Sequence, residues 1–177
     1  MIRRWGAPVL LGLVLAGAAY QVMLVQTPRL LMWFATYRIA EPAGYNAFYY
    51  APLATSDSRA IVRPSPNLAY SSCPFDLSKG PVLIDVAPVP APYWSLSIFD
   101  PRTDVVFVRN NIQAGGKPIR VALIGEGGGR APPGYEPVLV KGNGGIALIR
   151  TLVDDSARFR QIDAARRASR CRSTPPS

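Results

Sequence analysis

The hydrophobic positions of this chain follow two patterns, which change near residue 45. Residues 5–25 contain one strongly polar side chain, Gln21. At about 1.5 Å per residue, a helix of this length crosses a hydrocarbon core of roughly 30 Å. Residues 29–39 stay apolar on most sides and follow Pro28, a residue favoured at helix starts. The first pattern therefore predicts two helices in succession.

The two predicted helices leave alternatives open. Residues 1–26 are predicted to form a transmembrane anchor, because the apolar stretch is longer than the roughly 7 to 15 residues of a cleaved signal peptide. The small residues at 16–18 would nevertheless suit a signal peptidase. Residues 27–44 are predicted to form an amphipathic juxtamembrane helix and linker, which either lies on the membrane surface or packs against the domain. Arg3 and Arg4 precede the anchor and predict a cytoplasmic N-terminus, with the rest of the chain in the periplasm.

After residue 45 the apolar runs become short, and proline and glycine separate them. Six runs predict β-strands, at residues 82–86, 93–99, 105–108, 119–124, 137–140 and 146–152. Because no helical segment long enough for a parallel crossover lies between them, the spacing predicts a mainly β fold, as a small antiparallel β-sandwich or partly open barrel. Residues 155–168 predict a C-terminal helix, since acids begin it and arginines end it. We expect a periplasmic domain over residues 45–168 and a basic disordered tail over residues 169–177.

Two segments of this domain carry further predictions. In residues 93–99, Trp94, Leu96 and Ile98 occupy alternate positions, so one face of the strand meets the core and the other faces solvent, a partner or a ligand. Residues 124–129 are rich in glycine and superficially resemble a phosphate-binding loop. The prolines that follow cannot open the helix that such a loop requires. We interpret this segment as a flexible hairpin connection.

The net charge is strongly positive, with 20 Lys and Arg residues against 11 Asp and Glu residues. Six of the arginines lie between residues 158 and 172. This clustering favours a solvated or lipid-facing tail, or a segment that docks a partner, over a surface for nucleic acid. Hydrophobic residues make up 49% of the chain, which excludes an intrinsically disordered protein.

Histidine is absent from the chain, and its absence limits the chemistry. It excludes Ser-His-Asp and Cys-His catalysis and histidine-ligated zinc within this chain. No spacing of acids or cysteines indicates a metal or another cofactor. Cys73 and Cys171 are the two cysteines, and an oxidising periplasm would permit a disulfide between them. A buried Cys73 beside an exposed Cys171 is the alternative.

A polar set in the middle of the chain is the candidate ligand site. Four of its members follow two prolines in a segment that we interpret as irregular, where Asn and Asp side chains commonly satisfy turn backbones; they are Asn67, Tyr70, Ser71 and Asp76. The functional alternative is a pocket in which Asn67 and Tyr70 orient a small molecule while Asp76 pairs with Arg109 or Arg150. The full candidate set is Asn67, Tyr70, Ser71, Asp76, Tyr93, Arg109 and Arg150.

The same region carries a family resemblance. Its signature reads RPSPNLAYSS over residues 63–72 and FDLSKGP over residues 75–81. Further matching residues are Tyr93, Trp94, Ser95, Leu96, Asp100, Thr103, Asp104, Pro133, Gly134, Arg150, Thr151 and Leu152. With these residues the chain resembles the bacterial domain of unknown function 1254 family over residues 45–168. The family usually reads Asn-x-Asp-Thr-Leu-Tyr-Ser where this chain reads NLAYS from Asn67, so the Asp-Thr pair is absent.

The resemblance also implies a partner. Many members of that family join this domain to a second, C-terminal one, the domain of unknown function 1214. We therefore expect pairing with a separate protein that resembles the second domain, or with a second copy of this chain, through the strand predicted over residues 93–99. The combined interpretation is a single-pass inner-membrane protein of a Gram-negative bacterium, whose periplasmic domain is a structural or interaction module rather than an enzyme. The alternative is a small-molecule-binding protein or enzyme with its site around Asn67, Tyr70 and Asp76.

Overall fold

The computed structural model describes residues 2–55, 57–58 and 63–174. Its first element, α1 (Ile2–Ala43), is one helix of 42 residues that continues through Pro8 and Pro28. By length and composition, its part Trp5–Ala43 can cross a membrane, and its most apolar window is not buried against the rest of the described chain. The two N-terminal segments predicted from the sequence are therefore one continuous helix. The helix formers on both sides of Pro28 offset the single hydrogen bond that a proline removes.

The described part of the domain contains nine strands, two short α-helices and one 3₁₀ helix. In chain order the strands are β1 (Tyr49–Tyr50), β2 (Leu68–Asp76), β3 (Val82–Val86), β4 (Trp94–Phe99), β5 (Val105–Asn110), β6 (Ile119–Ile124), β7 (Glu136–Leu139), β8 (Gly144–Leu152) and β9 (Arg170–Ser173). Helix α2 (Asn111–Ala114) follows β5, and the 3₁₀ helix Ser156–Arg158 precedes α3 (Phe159–Arg166).

The strands form two open sheets. The first sheet has the strand order β1-β2-β8-β4-β5, and the second has the order β7-β6-β3-β9. The mainly β fold with its C-terminal helix is confirmed, and the sheets are open rather than closed into a barrel. The strand pairs are antiparallel except β6 with β7, which is parallel. The hairpin predicted from residues 124–129 is therefore wrong. A hairpin joins antiparallel strands, whereas the glycine- and proline-rich connection after β6 returns the chain so that β7 runs parallel to β6.

Two strands come from segments that the sequence analysis assigned otherwise. The signature, interpreted as irregular, forms β2, which pairs with β8 along its whole length. The prediction missed β2 because small and polar residues interrupt the apolar alternation of a typical strand. Arg170–Ser173, assigned to a disordered tail, forms β9 and pairs with β3. Its exposed arginines flank the buried Cys171, so one face of the strand points towards the core. The prediction missed β9 because its arginines suggested a solvated tail.

Both sheets and α3 contribute to one hydrophobic core. Its largest fully buried apolar side chains include Trp94, Phe75, Ile84, Leu96, Ile98, Ile119, Leu123, Ile149 and Ile162. The core face predicted for Trp94, Leu96 and Ile98 is confirmed. The opposite face of β4 is buried too, at Ser95 and Ser97, where the Arg150 side chain of β8 donates a hydrogen bond to Ser97 Oγ. The expectation that this strand presents a partner surface is therefore wrong.

The second half of α1 has two different faces. Met32 and Thr36 are buried, and the helix contacts β1, β2 and β8 of the first sheet. The opposite face exposes five large side chains, which are Leu30, Leu31, Trp33, Phe34 and Tyr37. Packing against the domain is therefore observed for one face of this segment, and the other face remains exposed.

Candidate functional site

Two open sheets have four edges, and the fold brings these edges together in two seams. On one side β1 of the first sheet lies near β9 of the second, and we call this side the closed seam. On the other side β5 of the first sheet lies near β7 of the second, and we call this side the open seam. The contacts across the two seams differ in kind.

A disulfide and several hydrogen bonds hold the closed seam. Cys73 of β2 and Cys171 of β9 form a disulfide between the two sheets, with their Cα atoms 6.5 Å apart. Asn46, which precedes β1, donates a hydrogen bond to Ser173 Oγ at 2.8 Å. The Tyr50 hydroxyl donates to the Ser169 carbonyl at 2.7 Å. Burial raises the pKa of Tyr50, so this hydroxyl keeps its proton at neutral pH.

Arg166 of α3 is a buried cation beside the closed seam. Its Nη1 donates to the Tyr70 carbonyl at 2.6 Å and to Ser71 Oγ at 3.2 Å. Its Nη2 donates to the Ala51 carbonyl at 2.6 Å, and its Nε donates to the Asp163 carboxylate at 2.7 Å. A buried guanidinium is tolerated when its donors are satisfied in this way. Ser71, one of the predicted ligand residues, therefore helps to hold the fold.

One ion pair joins the open seam. Arg109 of β5 donates through both terminal nitrogens to the Glu136 carboxylate of β7, at 2.7 and 3.0 Å. The guanidinium also lies 4.9 Å from the centroid of the Phe107 ring. The Arg109 and Glu136 side chains are 32% and 45% exposed, so solvent screens the pair and its contribution to stability is small. Arg109 was predicted as a ligand residue with Asp76 as a possible ion-pair partner, and it pairs with Glu136 instead.

A cleft of about 490 Å³ opens beside this ion pair. Its lining residues are Arg109, Lys117, Pro118, Arg120, Gly134, Tyr135 and Glu136. Three of these side chains are cationic and one is anionic, so the cleft carries an excess of positive charge. Arg and Lys side chains bind carboxylate and phosphate groups through their N–H donors. The cleft is therefore suited to an anionic group.

A polar cluster adjoins the cleft at Tyr135. The Tyr135 hydroxyl donates to the Asp85 carboxylate at 2.8 Å, and Arg172 donates to the same carboxylate at 2.6 Å and to the hydroxyl at 2.8 Å. Arg120 Nε lies 3.6 Å from Asp85 Oδ1. Burial, followed by the hydrogen bond to Asp85, raises the pKa of Tyr135. Tyr135 is therefore a hydrogen-bond donor at neutral pH and not a base.

The predicted ligand residues do not form one pocket. Asn67 and Asp76 lie at opposite ends of β2, roughly 30 Å apart at about 3.3 Å per residue. The Asn67 side chain is exposed. The Asp76 carboxylate accepts hydrogen bonds from the backbone N–H and the hydroxyl of Ser78, each at 2.9 Å, and so caps a local turn. Arg109 lies at the open seam, in its pair with Glu136.

Tyr70 and Arg150 are brought together. They are direct partners in the register of β2 and β8. Arg150 Nη2 donates to Ser97 Oγ at 3.1 Å. Among the described residues, the buried Arg150 Nε and Ser95 Oγ atoms have no hydrogen-bond partner. Tyr93 precedes β4 and is 39% exposed. A ligand role for this small polar patch stays a prediction.

Sequence reasoning missed four of the residues that line the open-seam cleft, which are Lys117, Arg120, Tyr135 and Glu136. They lie in separate segments with no recognisable motif. The parallel pairing of β6 with β7 places these segments side by side. The hairpin predicted for this connection would have made the two strands antiparallel. Within the described residues, no group of three or more His, Cys, Asp or Glu side chains is placed to hold a metal ion.

The comparison with known protein families covers the whole of this domain. The model of the family described as "Protein of unknown function (DUF1254)" matches residues 45–173. The chain belongs to this family. The match includes β9, so the DUF1254 domain extends beyond residue 168, where the sequence analysis ended it. No curated protein matches the chain.

Solved structures share the fold of this DUF1254 protein. The crystal structure of the VPA0106 protein from Vibrio parahaemolyticus matches with a TM-score of 0.67 at 13% identity, over 86% of this chain and 36% of that chain. An uncharacterized protein from Burkholderia cenocepacia matches with a TM-score of 0.48 at 15% identity, over 80% of this chain and 38% of that chain. The first likeness shows the fold alone, and the second is too low to support an argument. This chain thus spans little more than a third of these proteins.

Proposed function

We propose that this DUF1254 protein is a single-pass inner-membrane protein whose domain is an interaction module in the periplasm of a Gram-negative bacterium. The observation that carries the proposal is the continuity of α1 with the domain. The exposed apolar helix is long enough to cross a bilayer, and its second half is fixed to the domain at Met32 and Thr36. A cut after Ala18 would leave a helix on the domain whose apolar residues are still exposed, so we favour the uncleaved anchor; these residues are Tyr20, Val22, Met23, Leu24 and Val25.

The disulfide supports a periplasmic location. Structural disulfides persist in oxidising compartments and are rare in the bacterial cytosol. The bond between Cys73 and Cys171 joins the two sheets, so the domain depends on a compartment in which it forms. Arg3 and Arg4 at the start of α1 support a cytoplasmic N-terminus by their charge.

Reporter fusions test the proposed topology. Alkaline phosphatase fused after the last residue should be active, and β-galactosidase at the same position should be inactive, because only the phosphatase requires export. The protein should also stay in membranes washed with alkaline carbonate. Replacing Arg3 and Arg4 with Glu is the matched control, and it should lower phosphatase activity since it removes the charge signal. Strong β-galactosidase activity from the unaltered chain would refute the topology.

We propose the open seam as the surface for the partner. Val108 of β5 and Leu139 of β7 are 53% and 75% exposed, and Ile112 of α2, which follows β5, is 80% exposed. Strands β5 and β7 are the edges of their sheets, and exposed edges in stable proteins are normally covered or charged. The excess cations of the cleft favour a partner with an acidic residue among apolar ones. The proposed partner is a separate protein resembling the domain of unknown function 1214 family, or a second copy of this chain.

Photo-crosslinking in living cells tests the partner surface. A photoreactive amino acid in place of Leu139 should give one discrete adduct, whose second component is identified by mass spectrometry. The same amino acid in place of Arg160, an exposed residue of α3, is the control and should give none. An adduct with a protein resembling the second domain, or with another copy of this chain, supports the proposal. Equal products at both positions, or none at Leu139, would contradict it.

The alternative functions have weaker support. A small-molecule site around Asn67, Tyr70 and Asp76 is disfavoured because β2 separates Asn67 from Asp76. An enzyme is disfavoured because the carboxylate and the phenol that line the open-seam cleft are already held in hydrogen bonds, Glu136 by Arg109 and Tyr135 by Asp85.

A further inference from the structure

Four polar side chains form a row across the outer face of the first sheet, the face that points away from the second sheet. Each is the direct partner of the next in the register of neighbouring strands, and they are Tyr70 of β2, Arg150 of β8, Ser95 of β4 and Asn110 of β5. We call this set the polar row. Neighbouring strands lie about 4.8 Å apart, so the polar row is about 14 Å long. Side chains alternate between faces along a strand, and the chain neighbours Ile149 and Leu96 belong to the core on the other face.

Arg150 of the polar row is a cation without an acidic partner. None of the ion pairs among the described residues includes it. Its side chain is partly buried, and its Nη2 donates to Ser97 Oγ at 3.1 Å. Its buried Nε has no hydrogen-bond partner among the described residues. A partly buried guanidinium without an anion is costly, because its surroundings solvate the charge less well than water does.

Ser95, the next member of the polar row, carries a second unsatisfied group. Its exposed fraction is 0%, and its Oγ has no hydrogen-bond partner within the described part of the chain. Native structures pair the great majority of buried polar atoms with protein, water or a ligand, so each exception requires an explanation. Ser95 and Arg150 are direct partners across β4 and β8, so the two exceptions lie on adjacent strands of one face. They indicate a polar group that the described residues do not supply.

Apolar side chains border Arg150 on its own strand. Leu148 and Leu152 lie two positions before and after it, so they point to the same face, and both are partly buried. At one end of the polar row, the Tyr70 hydroxyl accepts a hydrogen bond from the Ser65 N–H at 3.1 Å. The segment before β2 therefore closes this end of the row. The cation thus lies among apolar side chains on a sheet face that is closed at one end.

We propose that the polar row binds a small carboxylic acid whose body is apolar. The carboxylate pairs with the Arg150 guanidinium, whose planar N–H groups match two oxygens at once. The apolar body lies on Leu148 and Leu152 and removes their surface from water. An inorganic anion would leave the two leucines uncovered. This site is smaller than the pocket predicted from the sequence, because it does not need Asn67 or Asp76.

The size of the polar row favours a small molecule over a protein. Leu148 and Leu152 are four residues apart, or about 13 Å along the strand. The row and its bordering leucines therefore cover roughly 180 Å² of the sheet face. A stable protein interface takes about 800 Å² on each partner. The site is also separate from the proposed partner surface, which lies at the open seam.

Fluorine NMR with 4-fluorobenzoate tests the site. The full chain in a mild detergent is compared with the detergent alone, so that partition of the probe into micelles is subtracted. The fluorine signal should broaden saturably with the protein. Benzoate should displace the probe at a concentration about tenfold below that of acetate or inorganic phosphate, because only benzoate has an apolar body to cover the leucines. Displacement by phosphate at a lower concentration than benzoate would overturn the proposed class of ligand.

Substitution of Arg150 separates ligand binding from a structural role. In Arg150→Met, probe binding should fall more than about tenfold, because the charge is lost. The thermal unfolding midpoint should change little, because the lost hydrogen bond to Ser97 is offset by removal of a partly buried charge that has no acid. A fall as large as that of Arg166→Met, which removes a guanidinium whose donors the fold uses, would make Arg150 a structural residue. Arg150→Lys keeps the charge without the planar N–H groups, and it should bind the probe several-fold more weakly than the unaltered chain.

Arg109→Met is the matched control, because Arg109 is also partly exposed but pairs with Glu136 at the open seam. It should leave binding of 4-fluorobenzoate unchanged. Loss of binding in Arg109→Met and not in Arg150→Met would move the anion site to the open-seam cleft and refute the polar row. Equal binding by Arg150→Met and the unaltered chain, or no binding beyond the detergent alone at millimolar concentrations, would refute it as well. These results do not depend on the reporter fusions or on crosslinking at Leu139, so the site can fail while the proposed topology and partner surface stand.

Discussion

The closed seam and the open seam join the same two sheets by opposite means. At the closed seam a disulfide and hydrogen bonds from Asn46 and Tyr50 connect the sheets, and the buried Arg166 holds α3 against the first sheet. At the open seam the described residues are joined by one solvent-exposed ion pair, and Val108 and Leu139 of the two edge strands are exposed. Stability in a domain is not uniform, and binding surfaces belong to its less stable parts. The comparison indicates that the closed seam holds the fold and leaves the open seam available for a partner.

Removing the disulfide should have the largest effect. Replacing Cys73 and Cys171 with Ala in the full chain should lower the free energy of unfolding by about 4 kcal/mol, because the bond closes a long loop in the unfolded chain. Urea unfolding in detergent, followed by Trp94 fluorescence in a background with Trp5→Phe and Trp33→Phe, measures this change. Unaltered protein treated with dithiothreitol should match the double variant. Unchanged midpoints in both samples would show that the disulfide does not hold the seam.

Removing the buried guanidinium should have the next largest effect. Arg166→Met keeps much of the side-chain volume but removes the donor to the Ala51 carbonyl and to Ser71 Oγ, at a cost of about 3 kcal/mol. The Tyr70 carbonyl loses one of its two hydrogen bonds and keeps the one from the Ala51 N–H. Arg167→Ala is the control, since Arg167 also pairs with Asp163 but is 52% exposed, and it should cost under about 1 kcal/mol. Thermal unfolding of both variants checks the difference. Equal losses would show that burial of Arg166 is not what stabilises the seam.

The acid that pairs with both arginines should make the stability of the closed seam depend on pH. Burial raises the pKa of Asp163, but hydrogen bonds from Arg167 and Arg166 outweigh burial and hold the pKa below its usual value. A carboxyl with a lowered folded pKa stabilises the fold above its unfolded pKa of about 4 and loses this contribution as the pH falls through the folded pKa. Stability should therefore decline as the pH is lowered below about 5.

The variant Asp163→Asn isolates that pH dependence. It should be less stable at neutral pH and should show a flatter decline in acid, as measured by urea midpoints at a series of pH values. Asp154→Asn is the control, because Asp154 pairs with Arg158 on the surface, where both side chains are about 40% exposed. Identical slopes for the unaltered chain and Asp163→Asn would contradict the assignment.

Breaking the open seam should have the smallest effect. Glu136→Gln removes the charge that binds Arg109, and the free energy of unfolding should change by less than about 1 kcal/mol because both side chains are solvated. The same variant should change partner crosslinking at Leu139, since it alters the charge of the cleft. A loss comparable to that of Arg166→Met would mean that the two seams are equivalent and would remove the basis of the comparison.

The accuracy of the strand predictions depended on local pattern. Val82–Val86 and Ile119–Ile124 were predicted with their observed bounds, because short apolar runs between turn residues are a local signal. Leu68–Asp76 and Arg170–Ser173 were missed, because their small, polar or basic residues become strand only through pairing with β8 and β3. The disulfide joins these two missed strands.

The residues of the candidate site also divide into those that the sequence predicted and those that only the structure revealed. Arg109 was selected from the sequence, but its partner Glu136 and its neighbours Lys117 and Arg120 were not. No motif joins these residues, and Glu136 is separated from Arg109 by 27 positions along the chain. The parallel pairing of β7 with β6, after a long loop, brings them together. A pattern of apolar residues does not show whether two neighbouring strands run parallel or antiparallel.

The sequence by itself determined the apolar helix, the mainly β class and the family, because hydropathy, turn residues and signature residues are local properties of the chain. Only the tertiary structure decided which edges meet, that Arg166 is buried, and that Asn67 and Asp76 lie apart. The physical reason is that burial and pairing depend on contacts between residues distant in the chain. The free energy of those contacts is set by the whole fold and not by any one segment.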